Sequence, residues 1–190
     1  TRRVLHDEVL PNLHTVLLSL SGADSDAAKL LAETHGQIAN LLRAMPAAAP
    51  PELERLGLAG ALRRLVDSEL AGQFNSVEWQ IEPEAAQRAA ELAPLNANVL
   101  FYAAREMMRN AAKHGRGSNP AQPLSLQVRL ALGHDLRLEI EDNGAGITQT
   151  NSNGAGQGLA LHSTMLAVIG GELSIDSGPG RTRVTIRLPL

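Results

Sequence analysis

The stretch Glu-Asp-Asn-Gly-Ala-Gly-Ile-Thr-Gln-Thr-Asn-Ser-Asn-Gly-Ala-Gly-Gln-Gly-Leu-Ala-Leu, positions 141–161, decides how the rest of the chain is read. It opens on acidic residues that end an alternating apolar run. Five glycines follow in two clusters, Gly144 and Gly146, then Gly154, Gly156 and Gly158, and a helical pattern starts near Leu159. Glycines at a strand end and a helix start let backbone approach a ligand closely and leave N–H groups for anionic oxygens. The expectation is a nucleotide site, with Asp142 reading the base and the second cluster near the phosphates. A glycine-rich connection with no ligand is the bland alternative, so the flanking sequence has to choose.

Immediately upstream, Leu124, Leu126, Val128, Leu130 and Leu132 alternate with Ser125, Gln127, Arg129 and Ala131. Leu136, Leu138 and Ile140 alternate with Arg137, Glu139 and Glu141 across a Gly133-His134 turn. Both runs are strands with one buried face, joined as a hairpin. Downstream, a helix over about 159–169 ends at Gly170-Gly171, where glycine caps are expected. Leu173 and Ile175, then Val184, Ile186 and Leu188, form a last strand pair around Gly178-Pro179-Gly180. Further back lie a mostly helical stretch to about residue 71 with Leu53, Leu56, Leu62, Leu65, Val66 and Leu70 on its stripe, and a short strand at 77–81. Helices are expected from 83 to 90 and within 94–114. One-sided strands with helices nearby imply a two-layer α/β sandwich.

Within residues 94–114, Glu106, Asn110 and Lys113 fall within about 60° of one another at 100° per residue. A carboxylate, an amide oxygen and an ammonium on one face suit magnesium and phosphate. An ordinary solvated face with a Glu–Lys contact has the same composition. A dinucleotide-binding unit competes for Gly154-Ala-Gly156-Gln-Gly158, because Asp176 follows about 20 residues later. Against it, the strand ending at Asp142 is separated from Gly154 by a loop, and the next strands form a hairpin. No Gly-x-x-x-x-Gly-Lys-Ser/Thr sequence is present, which excludes a P-loop.

The N-terminal part has another character. Residues 2–20 carry Leu5, Val9, Leu13, Val16, Leu17 and Leu20 at helical spacing, with Pro11 kinking the helix. After a turn at 21–26, residues 27–45 repeat the pattern with Leu31, Ile38, Leu41, Leu42 and Met45. A hairpin of about 45 residues buries too little surface to stand alone, and pairing with a second copy gives a four-helix bundle. Residues 1–45 are therefore expected to form a homodimer, 46–51 a proline-rich linker, and 52–190 a separate domain. On the first helix His6 precedes Asp7. Such a pair is either an exposed histidine beside an acid or a nucleophilic imidazole oriented by a carboxylate, although neighbours at i and i+1 do not face each other. His14, His35, His134 and His162 lack metal-ligand spacing and read as surface or packing residues.

Composition removes other classes. A net charge of −3 with 2% aromatic residues argues against a nucleic-acid surface. The absence of cysteine removes disulfides, thiolate nucleophiles and thiolate metal sites. No run approaches the ~18 apolar residues of a membrane span and no signal peptide opens the chain. The expectation is a cytoplasmic segment of something longer, membrane-anchored only through upstream sequence if at all.

Taken together, the pieces resemble a bacterial two-component sensor histidine kinase. Leu5-His6-Asp7-Glu8 resembles the phospho-acceptor motif of the subclass that signals to regulators with helix-turn-helix outputs. Leu56-Gly57-Leu58-Ala59-Gly60-Ala61-Leu62 resembles the segment opening the catalytic domain, and residues 105–114 the asparagine box. Asp142-Asn143-Gly144-Ala145-Gly146 is similar to the first glycine box and Gly154-Ala155-Gly156-Gln157-Gly158-Leu159 to the second. Residues 170–173 and 180–184 resemble the closing strands.

The resemblance implies an α+β architecture: a dimeric antiparallel helical hairpin followed by a two-layer sandwich ATP-binding domain of the Bergerat fold. It implies ATP and Mg²⁺, with Asp142 accepting from the adenine amino group and Thr182 supporting that pocket. Asn110 would coordinate magnesium with Glu106 in support, and Lys113 and His114 would contact phosphates. Asn143, Ile147, Leu159 and the box glycines would complete the ATP contacts, with a lid at 148–153. His6 would take the γ-phosphoryl group with Asp7 as base, then pass it to a response-regulator receiver domain. Pro11 stands where many members of the subclass carry the glutamine linked to dephosphorylating the regulator, so the resemblance implies the autokinase activity and leaves the phosphatase activity open. A catalytically inactive nucleotide-sensing dimer and a conformational ATPase of the gyrase or heat-shock type are the alternatives.

Overall fold

The computed structural model describes residues 50–147 and 152–190, with backbone alone over 152–157, together with Pro11, Thr15, Val16 and Gly36. Two compact units divide the chain, Thr1–Ala48 and Ala49–Leu190. In the first, the four described residues are all helical, and the Thr15 hydroxyl donates to the Pro11 carbonyl at 2.8 Å. The expected hairpin, His6 and Asp7 otherwise lie outside the described residues.

The second unit is a five-stranded mixed sheet with helices. Its elements are α1 (Pro51–Ser68), β1 (Ser76–Ile81), α2 (Pro83–Ala90), α3 (Pro94–His114), β2 (Ser125–Leu132), β3 (Asp135–Asp142), α4 (Ser152–Val168), β4 (Glu172–Gly178) and β5 (Arg181–Pro189). Strand order is β1-β2-β3-β5-β4. The β2–β3 and β4–β5 pairs are antiparallel hairpins, as their alternation and turns predict. Two long-range pairings were not legible in the sequence: β1 runs parallel to β2, and β5 inserts between β3 and β4.

Period-2 alternation fixes which residues meet the helices. Leu126, Val128 and Leu130 of β2, Leu136, Leu138 and Ile140 of β3, and Val184, Ile186 and Leu188 of β5 are all buried. They pack with Leu62, Leu65, Leu100, Met107, Met108 and Leu166 in the core. The opposite face carries a charged ladder in which Glu141 lies beside Arg183 and Arg129 beside Glu139. That face is polar and charged, with Glu139 and Thr185 buried on it, in keeping with one-sided apolar patterning.

Two elements depart from their expected form. Gly57 adopts φ +67°, ψ 179° inside α1, a left-handed-region conformation that interrupts the helix. The interruption shifts the phase of the stripe: Leu56, expected inside, is 41% exposed, and Leu58 is buried at 3%. Helix α4 begins at Ser152, seven residues before the expected start, and takes in Gly154, Gly156 and Gly158. Each helical glycine costs about 1 kcal/mol relative to alanine, so local propensity disfavours this. Packing overrides it. A Cβ on Gly158 would lie 3.0 Å from Glu106 Oε1, so the missing side chain lets α4 close on α3. The lid expected at 148–153 accordingly loses Ser152 and Asn153 to the helix, and 148–151 lie outside the described residues. Among the described residues no helix is long and apolar enough to cross a membrane.

Candidate nucleotide site

Asp142 is the last residue of β3 and stands two places after Ile140, so alternation turns its side chain toward the helices. Its register partner on β5 is Thr182, likewise two residues before Val184. Each strand therefore ends an apolar column with a polar group at the same level. Asp142 is buried. The Gly144 N–H donates to its Oδ1 at 2.9 Å, the only hydrogen bond its side chain makes among the described residues, so Oδ2 is left to accept from something else. Burial pushes the carboxyl pKa up; the Gly144 N–H opposes this, and the nearby Glu141 charge adds to it. A buried carboxylate with an uncommitted oxygen is costly unless a donor arrives.

A cavity opens on this carboxylate. Its walls are largely apolar, with Met107 and Ala111 from α3, Ile140 and Val184 from the sheet and Leu159 from α4. Asp142 and Thr182 supply polar groups, Gly146 and Ile147 belong to the loop after β3, and Asn110 and His114 complete the lining. Seven residues singled out in the sequence thus share one cavity: Asn110, His114, Asp142, Gly146, Ile147, Leu159 and Thr182. A flat apolar ring carrying an N–H donor suits such walls around a single buried acceptor.

The first glycine cluster fixes that geometry by allowing close backbone contact. Ala145 N–H donates to Gly115 O at 2.7 Å, tying the loop to the C-terminal end of α3. A Cβ on Gly144 would fall 2.4 Å from Gly115 O and 2.6 Å from Asp142 Oδ1. Gly146, at φ +81°, would place a Cβ 2.4 Å from Gly178 O. The loop is thereby held against α3 on one side and the β4–β5 turn on the other. Asn143 sits outside the cavity, where its side-chain oxygen accepts from Ser125 N–H at 2.7 Å and braces the start of β2.

Glu106 and Lys113 do not line this cavity. They face an adjoining depression with Glu69, Arg109 and Asn110, so Asn110 belongs to both. Here Arg105 bonds Glu69 in a fork at 2.9–3.1 Å and Arg109 reaches it at 3.3 Å, tying the end of α1 to α3. One end is thus apolar with a single acceptor, and the other is charged. Among the described residues no group of three or more acidic or histidine side chains could hold a metal unaided. One amide and one carboxylate instead suit a magnesium ion that draws its remaining ligands from phosphates and water.

Two contributors escaped the sequence reading. Gly115 ends α3 against Leu124, whose Cδ1 would be 2.6 Å from an added Cβ. Ser177 accepts from Ile147 N–H at 2.8 Å and lies 3.1 Å from Thr182 Oγ1, joining the loop to the wall of the cavity. A glycine after a helix and a serine in an edge strand have no local signature of such roles. His162, read as a surface or packing residue, lies half-buried on α4.

Residues 96–190 match the family described as Histidine kinase-, DNA gyrase B-, and HSP90-like ATPase. The chain belongs to this ATPase family. The match covers α3 from Asn96 and everything after it, and so includes every wall of the cavity. Sensor histidine kinase LiaS of Bacillus subtilis is 26% identical over 200 residues, covering 99% of this chain and 52% of its own length. Sensory histidine kinase/phosphatase NtrB of Rhodobacter capsulatus is 26% identical over 197 residues, covering 91% of this chain and 55% of its own. The chain spans about half the length of these curated relatives. A solved histidine kinase domain from the blue-light activated histidine kinase of Erythrobacter litoralis shares the fold, with a TM-score of 0.58 at 18% identity, covering 95% of this chain and 96% of that one.

Proposed function

We propose that the chain is the core of a two-component sensor histidine kinase, which binds ATP in the cavity, phosphorylates His6 and passes the phosphoryl group to a response-regulator aspartate. The observation that carries this is the buried Asp142 carboxylate with one oxygen uncommitted, in a largely apolar cavity that Asn110 and His114 also line. Asp142 accepts from the adenine amino group, and Thr182 supports the same edge. Asn110 and Glu106 would hold Mg²⁺, which would neutralise phosphate charge. Lys113 and His114 contact the phosphates, while Gly154, Gly156 and Gly158 give α4 an end with little bulk toward them.

Residues 1–45 form the dimerising helical hairpin, 46–51 the linker and 52–190 the catalytic domain. In the transfer a His6 ring nitrogen bonds to the γ-phosphorus, the bond to the ADP leaving oxygen breaks, and Asp7 takes up the ring proton. Such transfer depends mainly on positioning and charge neutralisation. The donor is cytoplasmic ATP and the acceptor in trans is a receiver domain. The names of the two relatives and the order of the boxes support this reading.

Incubation with γ-labelled ATP tests it: the chain should label, and His6→Gln should remove the label while nucleotide binding persists. Label that survives in His6→Gln would overturn the acceptor assignment. Phosphate release without label would point to a conformational ATPase, and binding without either to an inactive nucleotide-sensing dimer.

A further inference from the structure

The Glu106 carboxylate makes no hydrogen bond or ion pair with any described residue. It lies against α4 where Gly158 gives it room, with Oε1 3.0 Å from where a Cβ on that glycine would be. His162 is one turn farther along α4, on the same face by its i+4 spacing. Its Nδ1 is buried and has no hydrogen-bond partner. Buried polar atoms are so generally paired that an orphan calls for an explanation. A carboxylate can only accept, and a neutral imidazole carries one N–H to donate. Two neighbouring groups on facing helices thus each lack what the other offers.

We propose that His162 is a positioning residue for Glu106: its ring N–H engages the carboxylate and fixes which way Glu106 faces beside Asn110. The inference rests on the nucleotide–magnesium reading of Glu106 given above. A neutral donor is the suitable kind here, because a lysine or arginine would cancel the charge that a cation needs. Burial favours the uncharged ring, lowering the His162 pKa, and the Glu106 charge opposes this less strongly. Groups that orient a metal-binding side chain from behind characteristically change metal affinity by 10–100-fold when removed.

The experiment is a double-mutant cycle on the full chain, reading affinity for adenylyl imidodiphosphate by calorimetry with and without MgCl₂. His162→Leu should weaken binding about ten-fold with Mg²⁺ and leave metal-free binding unchanged. His162→Asn, which keeps an N–H near the Nδ1 position, should recover most of the loss. In a Glu106→Ala background His162→Leu should cost less than about two-fold, since the coupled partner is already gone. Additive losses, or an equal loss without metal, would overturn the proposal. A second readout needs no nucleotide: Glu106→Gln should shift the His162 ring ¹⁵N resonances in the ligand-free protein, and unmoved resonances would refute the contact. If the wild type binds no nucleotide, the reading of the site fails, while the ring resonances still report on the pair.

Discussion

Replacing Gly144 by alanine tests the close contact on which the site is built. The added Cβ would lie 2.4 Å from Gly115 O and 2.6 Å from both Gly115 Cα and Asp142 Oδ1. Ordinary contacts need roughly 3.5–4 Å, so more than about 1 Å must be found. Every atom it meets is backbone or a buried carboxylate, none of which can swing away. Overpacking of this kind costs about 1–3 kcal/mol. The shift also strains two hydrogen bonds, Gly144 N–H to Asp142 and Ala145 N–H to Gly115, each worth about 1 kcal/mol. With about half of each bond lost, the sum is about 2–4 kcal/mol. At roughly 3–4 °C per kcal/mol for a unit of this size, Tm should fall by about 6–16 °C.

Trp79 is the sole tryptophan and lies in β1, so intrinsic fluorescence follows this unit in the full chain. The displaced carboxylate should lose much of a charge-assisted bond worth about 1.5–3 kcal/mol, weakening ATP binding by about 10- to 150-fold. Gly133→Ala is the control, because nothing lies within 4 Å of its added Cβ; it should change stability by no more than about 0.5 kcal/mol. If Gly144→Ala melts within about 2 °C of the wild type and binds ATP equally well, the contact does not organise the site.

Asp142→Asn retains an acceptor for Gly144 N–H and removes the buried charge. Because burial raises the native carboxyl pKa, the native state binds more protons than the unfolded chain between about pH 4 and the raised value, and wild-type stability falls as pH climbs through that window. Denaturant melts should show the asparagine variant without this decline and no less stable at pH 7, while its ATP affinity drops about ten-fold or more; a less stable variant at pH 7 refutes the account. Ser177→Ala removes the acceptor for Ile147 N–H and should cost about 1 kcal/mol or less. Amide exchange at Ile147 should quicken, and unchanged protection would show that Ser177 does not hold the loop. A fragment of residues 1–45 should scatter light as a dimer, and a folded monomer would refute the bundle.

Much of the site was legible because it depends on local periodicity. The run from Leu136 to Asp142 places the carboxylate in phase with Ile140 through strand alternation alone. The helical repeat from 94 to 114 puts Glu106, Asn110 and Lys113 on one face without reference to any partner. The two strand hairpins follow from their turns and patterning. These are short-range features, decided by backbone geometry within a few residues. That same locality left His114 grouped with Lys113, although the fold assigns Lys113 to the neighbouring depression.

What only the tertiary structure decided concerns contacts between residues far apart in sequence. Glycines read as a loop became the first turns of α4, since Gly158 allows that helix to approach Glu106. Gly57 rotated the α1 stripe so that Leu58, in place of Leu56, entered the core. Gly115 meets Gly144, Ser177 meets Ile147 and Thr182, and His162 comes to lie near Glu106. Gly115, Ser177 and His162 carry no local signal of these roles, because each matters through a partner that only the packing of α3, α4 and the sheet supplies. The sequence determined that residues 141–161 end a strand in an acid and begin a helix in glycines. The fold decided that the acid is buried with one oxygen still to offer, and that the glycines bring a second helix close enough to shape its neighbour.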